Sequence, residues 1–418
     1  MTLPNLTPSS NLADVRYEIR GPLARRAAEL EKAGHEVIKL NIGNPGAFGF
    51  RMPESMRSAI VENLQQADPY CHQKGIFQAR EAVVMQQHTR GVMDVTADEV
   101  FIGNGVSELI LFSLRALLNT GDEVLIPSPD YPLWTAAVVI NGAKAVHYPC
   151  TPERGFLPAV ADLRRLVTPR TRALVIITPN NPTGAVYPRA LLAEMVAFAE
   201  EQGLVIFSDE IYDQILYDGA EHVPVATLVR NTLCGTFGGL SKVYRACGLR
   251  VGWLSFSGLR ELAKVYLLAL DLLASLRLCS NVPGQYAVQT ALGGRQSILE
   301  LTKPGGRLYQ TRQAIIDGTR ASRFLEVTAP QGAMYAFMRV RAGALPHFSD
   351  QRFALDLLES KHVLVAPGTS FNVPYANHFR ITLLPDEKTM QEVFARIEEL
   401  LQEYAKQPSA RTAAPPAP

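Results

Sequence analysis

The strongest constraint on the fold of this chain is an alternation of short apolar runs and amphipathic segments between Val100 and Phe256. Several of the runs are apolar at almost every position, which is typical of strands buried on both faces. Such strands form mostly parallel sheets that helices cover on both sides. Seven strands are predicted: Val100–Ile102, Asp122–Ser128, Ala143–Tyr148, Ala173–Thr178, Leu204–Ser208, Leu233–Phe237 and Val251–Phe256. The sequence therefore predicts an α/β fold with a seven-stranded sheet.

The segments on either side of this alternation predict a second, smaller α+β unit. Its predicted strands are Phe324–Val327, Met334–Phe337, Val363–Val365 and His378–Thr382, with a helix at Phe353–Ser360. Residues 260–292 are predicted to be helical, and further helices are predicted at Leu23–Lys32, Met56–Leu64 and Gln78–Arg90. We expect an N-terminal segment 14–51 that joins the small domain, a large domain 52–298 and a C-terminal small domain 299–405. The Pro- and Ala-rich tail 406–418 is expected to be disordered.

Composition excludes several classes of function. The chain has 418 residues, 47% of them hydrophobic, and a formal net charge of +1. This balance gives no electrostatic case for binding nucleic acid or an anionic membrane, and no apolar run is long enough to span a bilayer. The first residues lack the pattern of a signal peptide, and none of the five cysteines forms a Cys-x-x-Cys pair. We therefore expect a reduced, cytoplasmic protein without a metal site.

A lysine occurs in an unusual setting, within the Gly-rich and apolar stretch Thr236-Phe-Gly-Gly-Leu-Ser-Lys-Val-Tyr-Arg-Ala-Cys-Gly-Leu-Arg-Val-Gly-Trp253. Lysine is rarely buried unless it is paired or used covalently, and a buried lysine can form a Schiff base with an aldehyde. The alternative is a surface lysine on a loop. Two further stretches precede it, Phe207-Ser-Asp-Glu-Ile-Tyr212 and Pro179-Asn-Asn-Pro-Thr-Gly184. A carboxylate at the end of a buried strand, such as Asp209, needs a cationic partner or caps the following turn.

These stretches, in this order, resemble the aspartate-aminotransferase-like group of pyridoxal-phosphate (PLP) enzymes. The resemblance extends from about Tyr17 to Leu401. It implies the PLP-transferase fold of type I, PLP as the cofactor, amino acids and 2-oxo acids as substrates, and a homodimer.

The resemblance also implies catalytic roles. Lys242 would carry the cofactor and move the substrate's proton, Asp209 would pair with the pyridine nitrogen, and Tyr212 would bond the ring's phenolic oxygen. Asn181 would be the second partner of that oxygen, whereas Asn180 is expected to form the turn.

Further residues would hold the cofactor. The phosphate would lie on Gly105, Val106 and Ser107, where glycine allows close approach and a helix N-terminus favours an anion; Ser107 could also simply cap the helix. The remaining cofactor contacts are expected from Arg250 and Ser241 at the phosphate, Tyr131 stacked on the ring, and Tyr70 reaching the phosphate of the neighbouring subunit. Tyr131 could instead be a core aromatic.

The expected substrate contacts are Arg380 as a bidentate clamp on the α-carboxylate, Gly43 beside it, and Asn181. Arg20, in a Gly-Pro-terminated segment with Tyr17, is our first choice for the distal carboxylate of glutamate, with Tyr17 covering the opening. Arg277 is the rival.

Within the group, Tyr17-Glu-Ile-Arg-Gly-Pro22 and Gly332-Ala-Met-Tyr335 are most similar to the alanine aminotransferase branch. The implied reaction is L-alanine plus 2-oxoglutarate giving pyruvate plus L-glutamate, in two half-reactions through pyridoxamine phosphate. Alternatives are an aminotransferase for branched-chain or aromatic amino acids and a β-lyase of the same fold. A transcription regulator that uses this fold to sense an effector is a different class. It would need an added N-terminal DNA-binding unit, and the roughly fifty residues before the large domain match the enzyme's own N-terminal segment.

Overall fold

The computed structural model of the chain describes residues 7–13, 15 and 21–406, without the side chain of Leu262. Thirteen strands form three sheets within these residues. Their bounds are β1 Ile38–Lys39, β2 Val100–Gly103, β3 Glu123–Ser128, β4 Lys144–Pro149, β5 Thr171–Ile177, β6 Val205–Asp209, β7 Leu233–Gly239, β8 Gly252–Gly258, β9 Leu325–Val327, β10 Tyr335–Val340, β11 Val363–Leu364, β12 Ala366–Pro367 and β13 His378–Thr382.

The largest sheet has seven strands in the order β2-β8-β7-β6-β5-β3-β4. Strand β8 runs antiparallel to both of its neighbours, and the other neighbouring strands are parallel. This arrangement confirms the prediction of a seven-stranded, mostly parallel sheet, and each predicted strand overlaps an observed one.

Alternate residues of the central strands enter two different cores. In β5, Leu174 and Ile176 pack into one cluster of buried side chains, and Val175 and Ile177 pack into another. Because successive side chains of a strand point to opposite faces, an unbroken apolar run supplies both cores at once. This is why the run could be recognised as a covered central strand.

Fourteen α-helices accompany the sheets in the described part of the chain. Their bounds are α1 Pro22–Lys32, α2 Glu54–Glu62, α3 Phe77–Thr89, α4 Val106–Leu117, α5 Pro132–Ile140, α6 Val160–Leu166, α7 Arg189–Glu201, α8 Lys264–Leu276, α9 Val282–Gln285, α10 Ala287–Gly293, α11 Ile298–Thr302, α12 Arg307–Ala321, α13 Asp350–Lys361 and α14 Glu387–Lys406.

Most of the predicted helical span 260–292 is helical, but it is interrupted after α8. Helix α8 ends at Leu276, and Leu278 has a left-handed backbone with φ +69°. Two short helices follow, and Pro283 stands in the first turn of α9, where its missing N–H group does no harm. A positive φ at a non-glycine residue cannot be read from an apolar pattern, and here it ends the helix.

The second unit is built from the four-stranded antiparallel sheet β12-β13-β10-β9. The N-terminal segment joins it because β1 pairs in parallel with β11, Ile38 opposite Val363 and Lys39 opposite Leu364. Strand β1 has only these two residues. The domain boundaries at residues 52 and 299 remain our proposal, which this pairing supports. Helix α14 extends to Lys406, so the predicted tail lies outside the described residues from residue 407 onward.

No helix among the described residues has both the length and the apolar content needed to cross a membrane.

Candidate active site

A cavity of about 740 Å³ lies where β5 and β6 end, beside the N-terminus of α4 and facing β13. In mostly parallel sheets this edge is where ligands commonly bind. The cavity brings together side chains that are far apart in the sequence. The predicted site residues that line it are Gly43, Val106, Ser107, Tyr131, Asn181, Asp209, Tyr212, Ser241, Lys242, Arg250 and Arg380.

The other predicted residues are placed differently. Gly105 lies directly behind the cavity wall, against the guanidinium of Arg250. Tyr70 is 78% exposed and does not line the cavity. Tyr17 and Arg20 lie outside the described residues.

Lys242 follows the last residues of β7 and is partly buried. Its Nζ atom donates a hydrogen bond to the backbone oxygen of Gly43, at 2.7 Å. This contact holds the amine inside the cavity, between the large sheet and the N-terminal segment. A nucleophilic amine in this position has access to whatever occupies the cavity.

Asp209 is the last residue of β6 and is 2% exposed. Burial raises the pKa of its carboxyl group to about 6, although the hydrogen bond from Trp134 Nε1 to Oδ2, at 3.1 Å, acts in the opposite direction. A buried carboxyl group that lines a cavity favours a cationic partner there. The position therefore suits a protonated ring nitrogen.

The loop before α4 forms a cradle that a side chain would fill. Gly105 has φ +82°, and a Cβ atom on it would overlap the Arg250 guanidinium. A Cβ atom on Gly252 would lie 2.5 Å from the backbone nitrogen of Val106. Because both positions are glycine, the guanidinium and the free N–H groups at the start of α4 reach the same space, which suits a phosphate group.

Arg250 itself has a left-handed backbone, with φ +51°, and its Nη1 atom donates to the Cys247 backbone oxygen at 2.9 Å. A left-handed conformation is uncommon for residues other than glycine and is found at functional sites. Here it turns the side chain back toward the start of α4.

Two tyrosines meet at the cavity wall. The Tyr212 hydroxyl donates to the Tyr335 hydroxyl at 3.1 Å, and both residues are buried. Burial and then the neighbouring Tyr335 raise the pKa of the Tyr212 hydroxyl well above its usual value, so this group remains a hydrogen-bond donor at neutral pH. Tyr335 was not predicted as a site residue, although its strand was.

Arg380 is 1% exposed and stands at the centre of β13. Its Nη1 atom donates to Asn181 Oδ1 at 2.8 Å, and Nη2 donates to the Asn41 backbone oxygen. The guanidinium lies over the rings of Tyr335 and Phe371, 4.2 and 4.7 Å from their centroids. The two aromatic rings and the Asn181 side-chain amide hold the guanidinium in one orientation, as bidentate binding of a carboxylate requires.

Asn180, which we expected to form the turn, does not line the cavity, and neither does Glu210. Asn180 accepts from the Thr183 hydroxyl at 2.8 Å, which stabilises the turn. Glu210 pairs with Arg90 and, at 3.0 Å, with His222, on the side of the strand end away from the cavity. Arg277, the rival for a distal carboxylate, is already paired with Glu108 at 3.2 Å.

Comparison with known proteins decides the family. The model of the family "Aminotransferase class I and II" matches residues 35–397. The chain belongs to the class I and II aminotransferase family. Members of this family depend on PLP. The chain is 48% identical over 396 residues to the glutamate-pyruvate aminotransferase AlaA of Escherichia coli K12, covering 95% of this chain and 98% of that protein.

Two further aminotransferases are similar over nearly the whole chain. The alanine aminotransferase of Mycobacterium bovis is 46% identical over 397 residues, covering 95% of this chain and 92% of that protein. The crystal structure of an aminotransferase from Escherichia coli superposes with a TM-score of 0.95 at 47% identity, covering 96% of this chain and all of that one. The predicted family and the type I fold are confirmed.

Proposed function

We propose that this aminotransferase exchanges the amino group between L-alanine and 2-oxoglutarate, giving pyruvate and L-glutamate, with PLP as its cofactor. The observation that carries the proposal is the cavity that joins the Lys242 amine, the buried Asp209 carboxyl group and the buried Arg380 guanidinium. The similarity to a glutamate-pyruvate aminotransferase and to an alanine aminotransferase, each over 95% of the chain, supports the choice of substrates.

The residues present fit PLP. The glycine-lined cradle with Arg250 and Ser107 would hold the phosphate, Asp209 would face the ring nitrogen, and Tyr212 and Asn181 would bond the phenolic oxygen. Tyr131, at the cavity wall, would cover a ring face. When bound, this cofactor withdraws electrons from the substrate's α-carbon and carries the amino group between the two half-reactions.

Lys242 would supply the proton chemistry. Its Nζ atom is held 2.7 Å from the Gly43 oxygen, beside the space left for the substrate. From there the Lys242 amine would take the proton from the substrate's α-carbon and deliver it, on the same face, to the cofactor carbon that keeps the amino group. Asp209 does not move a proton in this scheme, because its task is to keep the facing nitrogen cationic.

Arg380 and Gly43 would select the α-carboxylate that all substrates share. The guanidinium is fixed by Asn181 and by two aromatic rings, so it would lose little conformational entropy when a carboxylate binds. A larger residue at position 43 would overlap the Tyr335 hydroxyl and close this part of the cavity. Arg20 remains our choice for the distal carboxylate, because Arg277 is already paired with Glu108.

A homodimer is also part of the proposal. Helix α8 carries a row of exposed apolar residues on one face, namely Val265, Leu268, Leu272 and Leu276. Monomeric proteins rarely expose such a row, which marks an interface. Tyr70 is exposed as well, as expected of a residue that reaches into the site of the partner subunit.

The decisive experiment uses purified protein reconstituted with PLP, L-alanine and 2-oxoglutarate, with pyruvate measured by a coupled lactate dehydrogenase assay. We expect turnover with these two substrates, and much less when branched-chain or aromatic amino acids replace alanine. Lys242→Ala should abolish turnover while the protein stays folded by circular dichroism. Faster turnover with an aromatic or branched-chain donor would overturn the substrate assignment, and full activity of Lys242→Ala would overturn the site.

A further inference from the structure

Asp130 is a fully buried carboxyl group beside the cavity. It directly precedes Tyr131, which lines the cavity, but it does not line the cavity itself. Burial raises the pKa of its carboxyl group to about 7, and hydrogen bonds from Thr135 and Asn372 act in the opposite direction. A buried carboxyl group must have its oxygens satisfied, so its partners show what the residue holds in place.

One oxygen of Asp130 is tied to helix α5. The Thr135 hydroxyl donates to Oδ2 at 2.6 Å, and Thr135 stands in the first turn of the helix that begins directly after Tyr131. His147 Nε2 lies 2.9 Å from the same hydroxyl. Burial lowers the pKa of His147 to about 4, so this ring is neutral near pH 7 and can accept or donate. This contact fixes the backbone that carries Tyr131.

The other oxygen is tied to the segment that supports Arg380. Asn372 Nδ2 donates to Oδ1 at 2.8 Å, and the Asp130 backbone N–H donates to the Phe371 oxygen at 3.2 Å. The Phe371 ring in turn lies under the Arg380 guanidinium, 4.7 Å from its carbon to the ring centroid. One side chain therefore connects two walls of the cavity that come from different sheets.

We propose that Asp130 is a positioning residue that holds Tyr131 on the cofactor side of the cavity and Phe371, under Arg380, on the substrate side, in a single hydrogen-bonded unit. This inference rests on the proposed function, because it assigns the two sides to PLP and to the substrate carboxylate. A carboxylate suits the task, because both partners donate and it can accept both bonds at once. In Asp130→Asn, the side-chain oxygen could still accept one of the two hydrogen bonds, and the Thr135 hydroxyl would have to turn and accept from the new amide.

The two connections can be cut separately. Thr135→Val removes the bond on the cofactor side, and Asn372→Gly removes the one on the substrate side without straining a backbone whose φ is +56°. For Thr135→Val we expect a PLP dissociation constant raised several-fold, with KM for L-alanine and 2-oxoglutarate nearly unchanged. For Asn372→Gly we expect KM for both substrates to rise several-fold, with the PLP dissociation constant nearly unchanged. Asp130→Ala should change both by about tenfold, the scale of a lost charge-assisted bond, and Asp130→Asn should lie in between.

Thr319→Val is the matched control, because this buried hydroxyl donates to the Ile315 backbone oxygen within α12, away from the cavity. It should lower the melting temperature without changing either constant. The inference would be overturned if Thr135→Val and Asn372→Gly each changed PLP affinity and KM equally, or if neither variant changed either constant. These two variants carry the test if Asp130→Ala does not fold. PLP affinity, followed by the fluorescence of the cofactor-free protein, needs no turnover. An inactive wild type would therefore overturn the proposed function and leave the test of Thr135→Val readable.

Discussion

The Trp134 indole donates its Nε1 hydrogen to Asp209 Oδ2 across 3.1 Å, although the two residues lie 75 positions apart in the sequence. Trp134 comes from α5 and packs between the rings of Phe207 and Phe237, with centroids 6.0 and 5.2 Å away. The indole is therefore fixed, and through it one carboxyl oxygen is fixed. The other oxygen accepts only weakly from its own turn, the Ile211 N–H at 3.4 Å. Asp209 is thus held in one orientation before any ligand binds.

The first prediction concerns pH and the stability of the cofactor-free protein. The Asp209 pKa of about 6 lies above the value near 3.9 in an unfolded chain, so the folded state binds more protons between these values. The stability that Asp209 contributes is therefore greatest below about pH 4 and is lost as the pH rises through 6. Asp209→Asn should gain up to about 3 kcal/mol relative to wild type between pH 4 and 8. Urea denaturation of both proteins across this range would measure it.

Added PLP provides the contrast. It should stabilise the wild type against urea more than Asp209→Asn, because only the carboxylate can pair with a cationic ring nitrogen. A difference between the two proteins that does not vary with pH would contradict the prediction.

The second prediction concerns Gly43. A Cβ atom there would overlap the Tyr335 hydroxyl, which belongs to a buried side chain bonded to Tyr212. Gly43→Ala should therefore raise KM for both substrates about tenfold or more, because Tyr335, whose ring lies against the Arg380 guanidinium, must move. Gly46→Ala is a matched control, since the nearest atom to its Cβ would be Asn44 Oδ1 at 3.9 Å. Steady-state kinetics with alanine and 2-oxoglutarate would measure KM for both variants. A similar KM in the two would count against the role of Gly43.

The large sheet was predictable because its strands are local and unbroken. Each apolar run in residues 100–258 is bounded by turn residues, so a short window is enough to recognise it. The site residues in motifs were predictable through resemblance, since Lys242, Asp209 and Arg250 each stand in a recognisable stretch. Trp134 and Tyr335 were not predicted as site residues, because their roles arise from contacts with Asp209 and Tyr212, 75 and 123 positions away. The end of α8 was missed because a positive φ at Leu278 leaves no mark in an apolar pattern.

The third prediction concerns Arg380. Arg380→Leu should weaken the binding of every amino acid and 2-oxo acid alike, because all of them carry the carboxylate that the guanidinium would bind. Loss of a charge-assisted bidentate contact should raise KM at least tenfold for alanine, glutamate and their oxo acids. Arg380→Lys should recover little, since an ammonium lacks the planar fork that stacks between Tyr335 and Phe371. Loss confined to one substrate would show that Arg380 reads a side chain instead.

The fourth prediction concerns the exposed face of α8. Leu268→Asp places a charge in the middle of the row that includes Val265 and Leu272, so it should convert the dimer to monomers. Activity should fall with it, because Tyr70 would no longer reach the partner's site. Leu299→Asp, at an exposed leucine outside this row, is the control. Light scattering combined with kinetics is the measurement, and a wild type that is a fully active monomer would contradict the proposal.

The last prediction concerns how one cavity takes both alanine and glutamate. The second carboxylate of glutamate costs several kcal/mol to desolvate unpaired, so a cation must be available when glutamate binds and harmless when alanine does. Arg277 is poorly suited, because it is held by Glu108 at 3.2 Å and by the Ile102 oxygen at 2.9 Å. Arg20 lies outside the described residues and directly precedes Gly21 and Pro22, the cap and the first residue of α1, so its role stays a prediction from the sequence.

In Arg20→Ala, activity with glutamate and 2-oxoglutarate should therefore fall about tenfold or more. A tenfold loss corresponds to about 1.4 kcal/mol, the scale of a charge-assisted pair. The alanine and pyruvate half-reaction, followed alone by the change in cofactor absorbance, should change much less. Arg277→Ala is the paired variant, and it should affect stability more than the choice of substrate, since Glu108 loses its ion-pair partner and keeps only its hydrogen bonds from Asn104. Equal losses in both half-reactions of Arg20→Ala would remove its selective role, and a glutamate-specific loss in Arg277→Ala alone would transfer that role to Arg277.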